Sequence, residues 1–137
     1  MEKFVLKLNQ IEQLTKHIHS FFKNGVVILK GDLASGKTTF VRVMTMRLCI
    51  DDEVTSPTFS LQHCYSDKVF HYDIYNHGLE HFISLGMLEE LDKPGIHFVE
   101  WGDDELVEIL KSAEIPTITI EIKKIADDAR EYIVCTH

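Results

Sequence analysis

Apolar residues recur along this chain at two periods. In residues 10–22, "QIEQLTKHIHSFF", Ile11, Leu14, Ile18 and Phe21 or Phe22 fall at helical spacing. Asn24-Gly25 is expected to end that helix. "VVILK" is a short β-branched run and predicts a buried strand. Residues 37–48 predict a helix with Phe40, Val41, Met44 and Leu48 inward. "EVTSPTF" is a loop broken by Pro57. "SLQHCYS" and "KVFHYDIY" predict two strands around a turn at Ser66-Asp67-Lys68. Residues 78–92 predict a helix in two pieces about Gly86. "KPG" is a turn, and "IHFVEW" is a second buried strand. The acids opening "DDELVEILKS" suit a helix N-terminus. "TITIEIKKI" alternates at period two, and "REYIVCT" can pair with it across the loop "ADDA".

Strands and helices alternate early and strands pair late. The class is therefore α/β, a mixed sheet flanked by helices. No linker or repeat interrupts the 137 residues, so a single domain over residues 1–137 is expected. With 45% apolar and 26% charged residues, the composition is that of an ordinary globular protein. The formal net charge of −8 argues against a protein whose main work is wrapping nucleic acid. Partners with basic surfaces are the natural expectation. Cys49, Cys64 and Cys135 have no CxxC spacing, so a reducing cytoplasm is expected, with neither disulfide framework nor zinc site. No secretory signal and no membrane-length apolar run is present.

The run Gly31-Asp32-Leu33-Ala34-Ser35-Gly36-Lys37-Thr38, followed by Thr39, fits G-x-x-x-x-G-K-[ST] between a predicted strand and a predicted helix. The glycines let backbone N–H groups approach a phosphate. Those groups form an anion-binding nest where the helix dipole adds positive potential. Lys37 can reach the β- and γ-phosphates, and the Thr38 hydroxyl can ligate Mg²⁺. The chemistry also needs an acid on a neighbouring strand for the metal shell, and a group to orient water. Glu100 ends "IHFVE". Asp73 in "FHYDIY" sits among apolar and aromatic residues, where a carboxylate is costly unless paired or metal-linked. An outward-facing position on an alternating strand would also explain it. Thr55-Ser56-Pro57-Thr58 lies where many P-loop proteins keep a switch loop, although such clusters are usually turns.

Some patterns lead elsewhere. Asp92-Lys-Pro-Gly95 fits D-x-x-G but follows a helix, and no N-K-x-D follows, so guanine specificity is unsupported. A small-metabolite kinase would close an arginine-rich lid over its phosphate, but Arg42, Arg47 and Arg130 are the only arginines. His77 and His81 stand four apart without an H-E-x-x-H pattern, and a solvated helix face is the preferred reading. Trp101 reads as core or interface.

Together "GDLASGKTTFVR", "VTSPTFSL", "FHYDIY" and "FVEWGD", in this order, resemble the TsaE (YjeE) family of small bacterial P-loop ATPases over roughly residues 10–135. The resemblance implies a P-loop NTPase-like fold, ATP and Mg²⁺ binding, and slow hydrolysis. It implies a role in making threonylcarbamoyladenosine in tRNA, acting on the TsaB–TsaD complex and meeting tRNA only through it. Carried onto this sequence, the phosphate loop is Gly31 to Thr38. The Ser-Pro-Thr loop is Ser56 to Thr58, the acids are Asp73 and Glu100, and Arg130 is the arginine against adenine. Lys37, Asp73 and Glu100 are the expected catalytic residues, and Thr38, Asp73 and Glu100 the expected metal site. Ala34 stands where the family usually has glycine, and Asn76 where it often has arginine. The N-terminal side of the adenine pocket has no clear match around Asn9 to Glu12. The alternatives are a small-metabolite kinase and a nucleotide-gated binding module without useful hydrolysis.

Overall fold

The structure is a computed structural model that describes residues 1–32, 35–48, 50, 62–75 and 78–137. The expectations placed on Leu33, Ala34, Cys49, the loop around Ser56-Pro57-Thr58, Asn76 and His77 lie outside the described residues.

In chain order the elements are β1 (Glu2–Lys7), a 3-10 turn (Leu8–Gln10), α1 (Ile11–Phe21), β2 (Gly25–Lys30), α2 (Lys37–Arg47), β3 (Gln62–Tyr65) and β4 (Val69–Asp73). There follow α3 (Gly78–Ser84), α4 (Met87–Leu91), β5 (Ile96–Glu100), α5 (Asp104–Ser112), β6 (Thr117–Ala126) and β7 (Ala129–Thr136). One seven-stranded sheet runs β1-β7-β6-β2-β5-β4-β3. Its centre is parallel: β2 pairs with both β5 and β6, and β4 pairs with β5. Antiparallel strands β3, β7 and β1 complete the two flanks. The class expected from the sequence, a mixed sheet between helices, is the one observed.

β2 is buried on both faces because it is central. Val27 and Leu29 pack towards α1 and α2 with Leu14, Ile18, Phe40 and Met44. Val26 and Ile28 pack with Phe82, Leu91, Leu106 and Leu110 from α3, α4 and α5. Two cores therefore sandwich the sheet, and the expected inward faces of α1 and α2 bring their residues there. Phe22 is the buried member of the Phe21–Phe22 pair, while Leu48 is only half-buried. Asp103 caps α5, its Oδ1 accepting from the Leu106 N–H at 3.0 Å. Such a cap is worth about 1 kcal/mol.

Three boundaries differ from the expectation. β1 has no counterpart in the sequence reading, since its only deeply buried residue is Leu6 and the alternation signal is correspondingly weak. The strands predicted across "ADDA" run further than expected, so Ala126 and Ala129 pair and only Asp127 and Asp128 turn the chain. Gly25 does not cap α1, which already ends at the extended Phe22. It opens β2 with φ +132°, and a Cβ there would lie 2.4 Å from Pro116 O and 2.7 Å from Phe22 Cζ. Gly25→Ala should therefore cost about 1–3 kcal/mol through strain and overpacking. A lower denaturation midpoint at unchanged slope is the expected readout.

A polar thread crosses the α3–α5 face of the sheet. Gln62 Nε2 donates to Tyr72 Oη at 3.1 Å, and Tyr72 Oη lies 2.8 Å from His97 Nδ1. His97 Nε2 lies 2.7 Å from the Lys93 carbonyl, which can only accept, so Nε2 carries the proton. Tyr72 therefore donates to Nδ1, and His97 is neutral in this arrangement. Burial lowers the His97 pKa below 6.5, more strongly than the Lys93 carbonyl and Glu90 raise it. Between that lowered value and 6.5 the unfolded chain binds more protons than the native one. Stability should then be full above the ordinary histidine range and decline as pH falls below it. Urea midpoints from pH 7.5 to 5.5 should fall (a window of about one unit either side of an ordinary histidine), with a shallower fall for His97→Gln.

Candidate functional site

The chemistry gathers where the parallel strands end. Side chains alternate along a strand, so residues two apart share a face. On β5 this places Ile96, Phe98 and Glu100 towards α2, and on β4 it places Val69, His71 and Asp73 on the same side. The core contacts agree, with Val69, Ile96 and Phe98 packed in the α1–α2 cluster. Asp73 and Glu100 are register partners on adjacent strands. β2 ends beside them at Lys30, and the glycine loop leads from there into α2. The carboxyl ends of parallel strands are where open α/β sheets bind ligands.

The loop is tight where glycine is needed. Gly31 has φ +152°, and a Cβ there would lie 2.6 Å from both Ile122 O and Ser35 Oγ. Ser35 Oγ itself is buried and has no hydrogen-bond partner among the described residues. Gly36 precedes α2 in the left-handed region, φ +113°, and its carbonyl accepts from the Phe40 N–H at 2.9 Å.

Lys37 begins α2 yet is only 5% exposed. Its Nζ donates to the carbonyls of Gly31 at 2.6 Å and Asp32 at 2.8 Å, folding back over the loop. The same ammonium stands 4.0 Å from the centre of the Trp101 ring. Burial lowers the Lys37 pKa, while the carboxylates of Glu100, Asp73 and Asp32 oppose that shift. Trp101 reaches this position through a backbone kink, φ +68°, immediately after β5. A non-glycine residue held there costs about 1–3 kcal/mol. Tyr75 lies against the indole at 4.6 Å between ring centres. Trp101 also packs on the α3–α5 core, so the core reading of this residue holds alongside its contact with Lys37.

Thr38 Oγ1 donates to Glu100 Oε2 at 3.0 Å. Two of the three residues expected in the metal shell are therefore already in contact. Glu100 is 3% exposed, and its carboxylate also meets His71 Nε2 at 2.5 Å. Asp73 Oδ1 accepts from the Tyr75 N–H at 2.9 Å, which fixes the chain beyond β4. Thr38, Asp73 and Glu100 supply oxygen atoms, the donor type that suits a hard divalent cation. Lys37 supplies a cation, the charge that suits an anionic ligand.

Arg130 stands on β7 and is tied to the loop. Its Nε donates to the Ser35 carbonyl at 2.9 Å, and Nη1 donates to the carbonyls of Ala126 at 3.0 Å and Ala129 at 3.1 Å. Beside it a cleft of about 300 Å³ is lined by Leu8, Gly36, Thr39, Asp127, Asp128, Arg130 and Tyr132. Leu8 and Tyr132 were not foreseen here. Leu8 had no reading in the sequence, because the strand that delivers it was not legible. His71 was missed as well, although it precedes Asp73 by two residues and so shares its face. Among the described residues, no cluster of three or more His, Cys, Asp or Glu forms a metal site, and no helix is long and apolar enough to cross a membrane.

This arrangement has close counterparts. The sequence profile of the family described as "Threonylcarbamoyl adenosine biosynthesis protein TsaE" matches residues 5–132. The tRNA threonylcarbamoyladenosine biosynthesis protein TsaE of Treponema pallidum is 37% identical over 117 residues, covering 82% of each chain. The protein of the same name from Bacillus subtilis is 36% identical over 126 residues, covering 89% of this chain and 77% of the relative. The crystal structure of Bacillus subtilis YdiB superposes with a TM-score of 0.72 at 29% identity, covering 98% of this chain and 84% of YdiB. With a glycine-loop lysine, a helix-start threonine and a strand-end glutamate meeting on this sheet, and with relatives matched over most of its length, this chain belongs to the TsaE family of threonylcarbamoyladenosine biosynthesis proteins.

Proposed function

We propose that this chain is a slow, Mg²⁺-dependent ATPase of the tRNA threonylcarbamoyladenosine pathway. It works in the cytoplasm on the TsaB–TsaD complex and meets tRNA only through that complex. The observation that carries the reading is the convergence of Lys37, Thr38 and Glu100 at the start of α2. The names of its relatives support the pathway. The net charge of −8 supports contact with tRNA through partners.

The geometry supports the following roles. The loop N–H groups at the start of α2 bind phosphate oxygens. Lys37, now satisfied by two loop carbonyls, exchanges them for phosphate, a stronger charge-assisted partner. Thr38, Glu100 and Asp73 hold the metal shell, and magnesium when bound neutralises charge between the phosphates. Glu100 accepts from water and orients it, with Asp73 beside it across the register. The cleft between Leu8, Tyr132 and Arg130 takes the adenine, its apolar walls and adjacency to Gly36 and Thr39 fitting a base that follows the phosphates.

Purified protein, alone and with TsaB–TsaD, tests this by ATP hydrolysis. Stimulation by the pair is expected, and no turnover in its presence would overturn the proposal. Lys37→Ala should weaken nucleotide binding about tenfold or more in a fluorescent-nucleotide titration, as expected when a charge-assisted partner is lost. Asp73→Ala should lower turnover in the assembled complex about tenfold or more while nucleotide affinity changes little. Normal hydrolysis by that variant would remove Asp73 from the mechanism.

A further inference from the structure

Glu100 is held from two sides, and only one of them belongs to the glycine loop. Thr38 Oγ1 and His71 Nε2 both fall on the same oxygen, Oε2, at 3.0 and 2.5 Å. An ionised carboxylate only accepts, so Nε2 carries a hydrogen. The other ring nitrogen, Nδ1, lies 3.3 Å from the hydroxyl of Tyr65 on β3. In a neutral ring that nitrogen accepts, and the hydrogen bonds then run one way, from Tyr65 to His71 to Glu100. His71 is 0% exposed, and it shares the α2-facing side of β4 with Val69 and Asp73.

The second buried histidine supplies the contrast. His97, on the opposite face, also accepts from a tyrosine, but its Nε2–H ends on the backbone carbonyl of Lys93. That thread joins β3, β4 and β5 and touches no reactive group. The His71 thread joins the same three strands, β3, β4 and β5, but ends on the carboxylate that Thr38 also touches. A buried imidazole N–H needs an acceptor in either thread, but only His71 takes a side-chain carboxylate of the candidate site as that acceptor. With both donors on Oε2, no described residue donates to Oε1, so that oxygen keeps its acceptor capacity.

We propose that His71 is a positioning residue: by donating from Nε2 to Glu100 Oε2, it fixes the glutamate so that Oε1 is offered to water or metal. This rests on the ATPase reading of the site. His71 touches neither nucleotide nor metal. It removes the rotational freedom of a carboxylate that Thr38 alone holds at one point, and it keeps that constraint when Thr38 turns to the metal.

Two variants of the full chain test it with TsaB–TsaD present. His71→Leu keeps the bulk and removes the donor, while His71→Gln restores an N–H at similar reach. His71→Leu should lose about tenfold or more in kcat, the scale of outer-shell partners. Nucleotide affinity without metal should stay within about threefold and melting should remain cooperative, because the loop and Lys37 are untouched. His71→Gln should recover most of the rate. Wild-type turnover in His71→Leu, or a folded His71→Gln no faster than His71→Leu, would overturn the proposal. If wild-type protein itself hydrolyses nothing, the ATPase reading fails separately. His71 is then judged by the Mg²⁺-dependent gain in nucleotide affinity, which His71→Leu should lose and His71→Gln keep. If His71→Leu does not fold, ¹⁵N imidazole shifts of the wild type decide, since an unprotonated Nε2 on His71 would overturn the assignment.

Discussion

The hydrogen bond from Thr38 to Glu100 joins two parts of the fold that are otherwise separate. Thr38 lies in the first turn of α2, and its position depends on where β2 ends and how sharply the loop turns. Glu100 lies at the end of β5, and its position depends on the parallel pairing of β2 with β5. A register slip of one residue would carry Glu100 to the α3–α5 face, away from Thr38 and among Tyr72 and Leu106. Burial of β2 on both sides prevents that slip. Val26, Val27, Ile28 and Leu29 are each 0% exposed, so neither face of the strand can be exchanged for the other. The site is thus a consequence of core packing two layers deep.

Part of the local strain lies at the same edge of the sheet. Gly31 and Gly36 take backbone angles that disfavour a side chain, and Trp101 takes one despite its bulk. Each has an identifiable return. Gly31 brings the chain within contact of Ile122 and Ser35, and Gly36 opens the helix. The Trp101 kink lays an indole against the Lys37 ammonium, replacing part of the hydration that burial removes. Arg130 ties the β6–β7 hairpin to Ser35 from the other side. The loop is held by neighbours on both flanks before any ligand arrives, which lowers the ordering cost of binding.

Much of this was legible in the sequence, for physical reasons. The glycine loop was readable because its chemistry fixes residue types at fixed spacing. The central strands β2 and β5 were readable because strands buried on both faces are largely apolar. The break at Gly86 and the turn at Ser66-Asp67 were readable because few residues accept positive φ, and both are found there. β1 was not readable, because an edge strand with one buried face and one solvated face leaves only a faint alternation. Gly25 was misplaced because a glycine after a helix resembles a cap, and only the approach of Pro116 reveals its other use. Asp73 and Glu100 could be named singly from sequence. Their pairing across the register, and the histidine behind Glu100, required knowing which strands are neighbours.

If the site takes a nucleotide, as proposed, its charge favours a metal beside it. Lys37 is one buried cation facing the carboxylates of Glu100, Asp73 and Asp32, and even their combined attraction does not outweigh its desolvation. A triphosphate brings about four more negative charges into the same field, at separations where unit charges interact by several kcal/mol. The helix dipole and loop N–H groups offset part of that repulsion, about half a unit charge in all. Two or more positive charges are still missing. A divalent cation on Thr38 and the strand-end carboxylates would offset two of those charges, and through it the acids would hold a ligand that they otherwise repel. On the proposed function, the acids would make nucleotide affinity rise with the metal. Holding Glu100 in one orientation, through His71 and Thr38 together, would keep an acceptor in place for such a cation or its water.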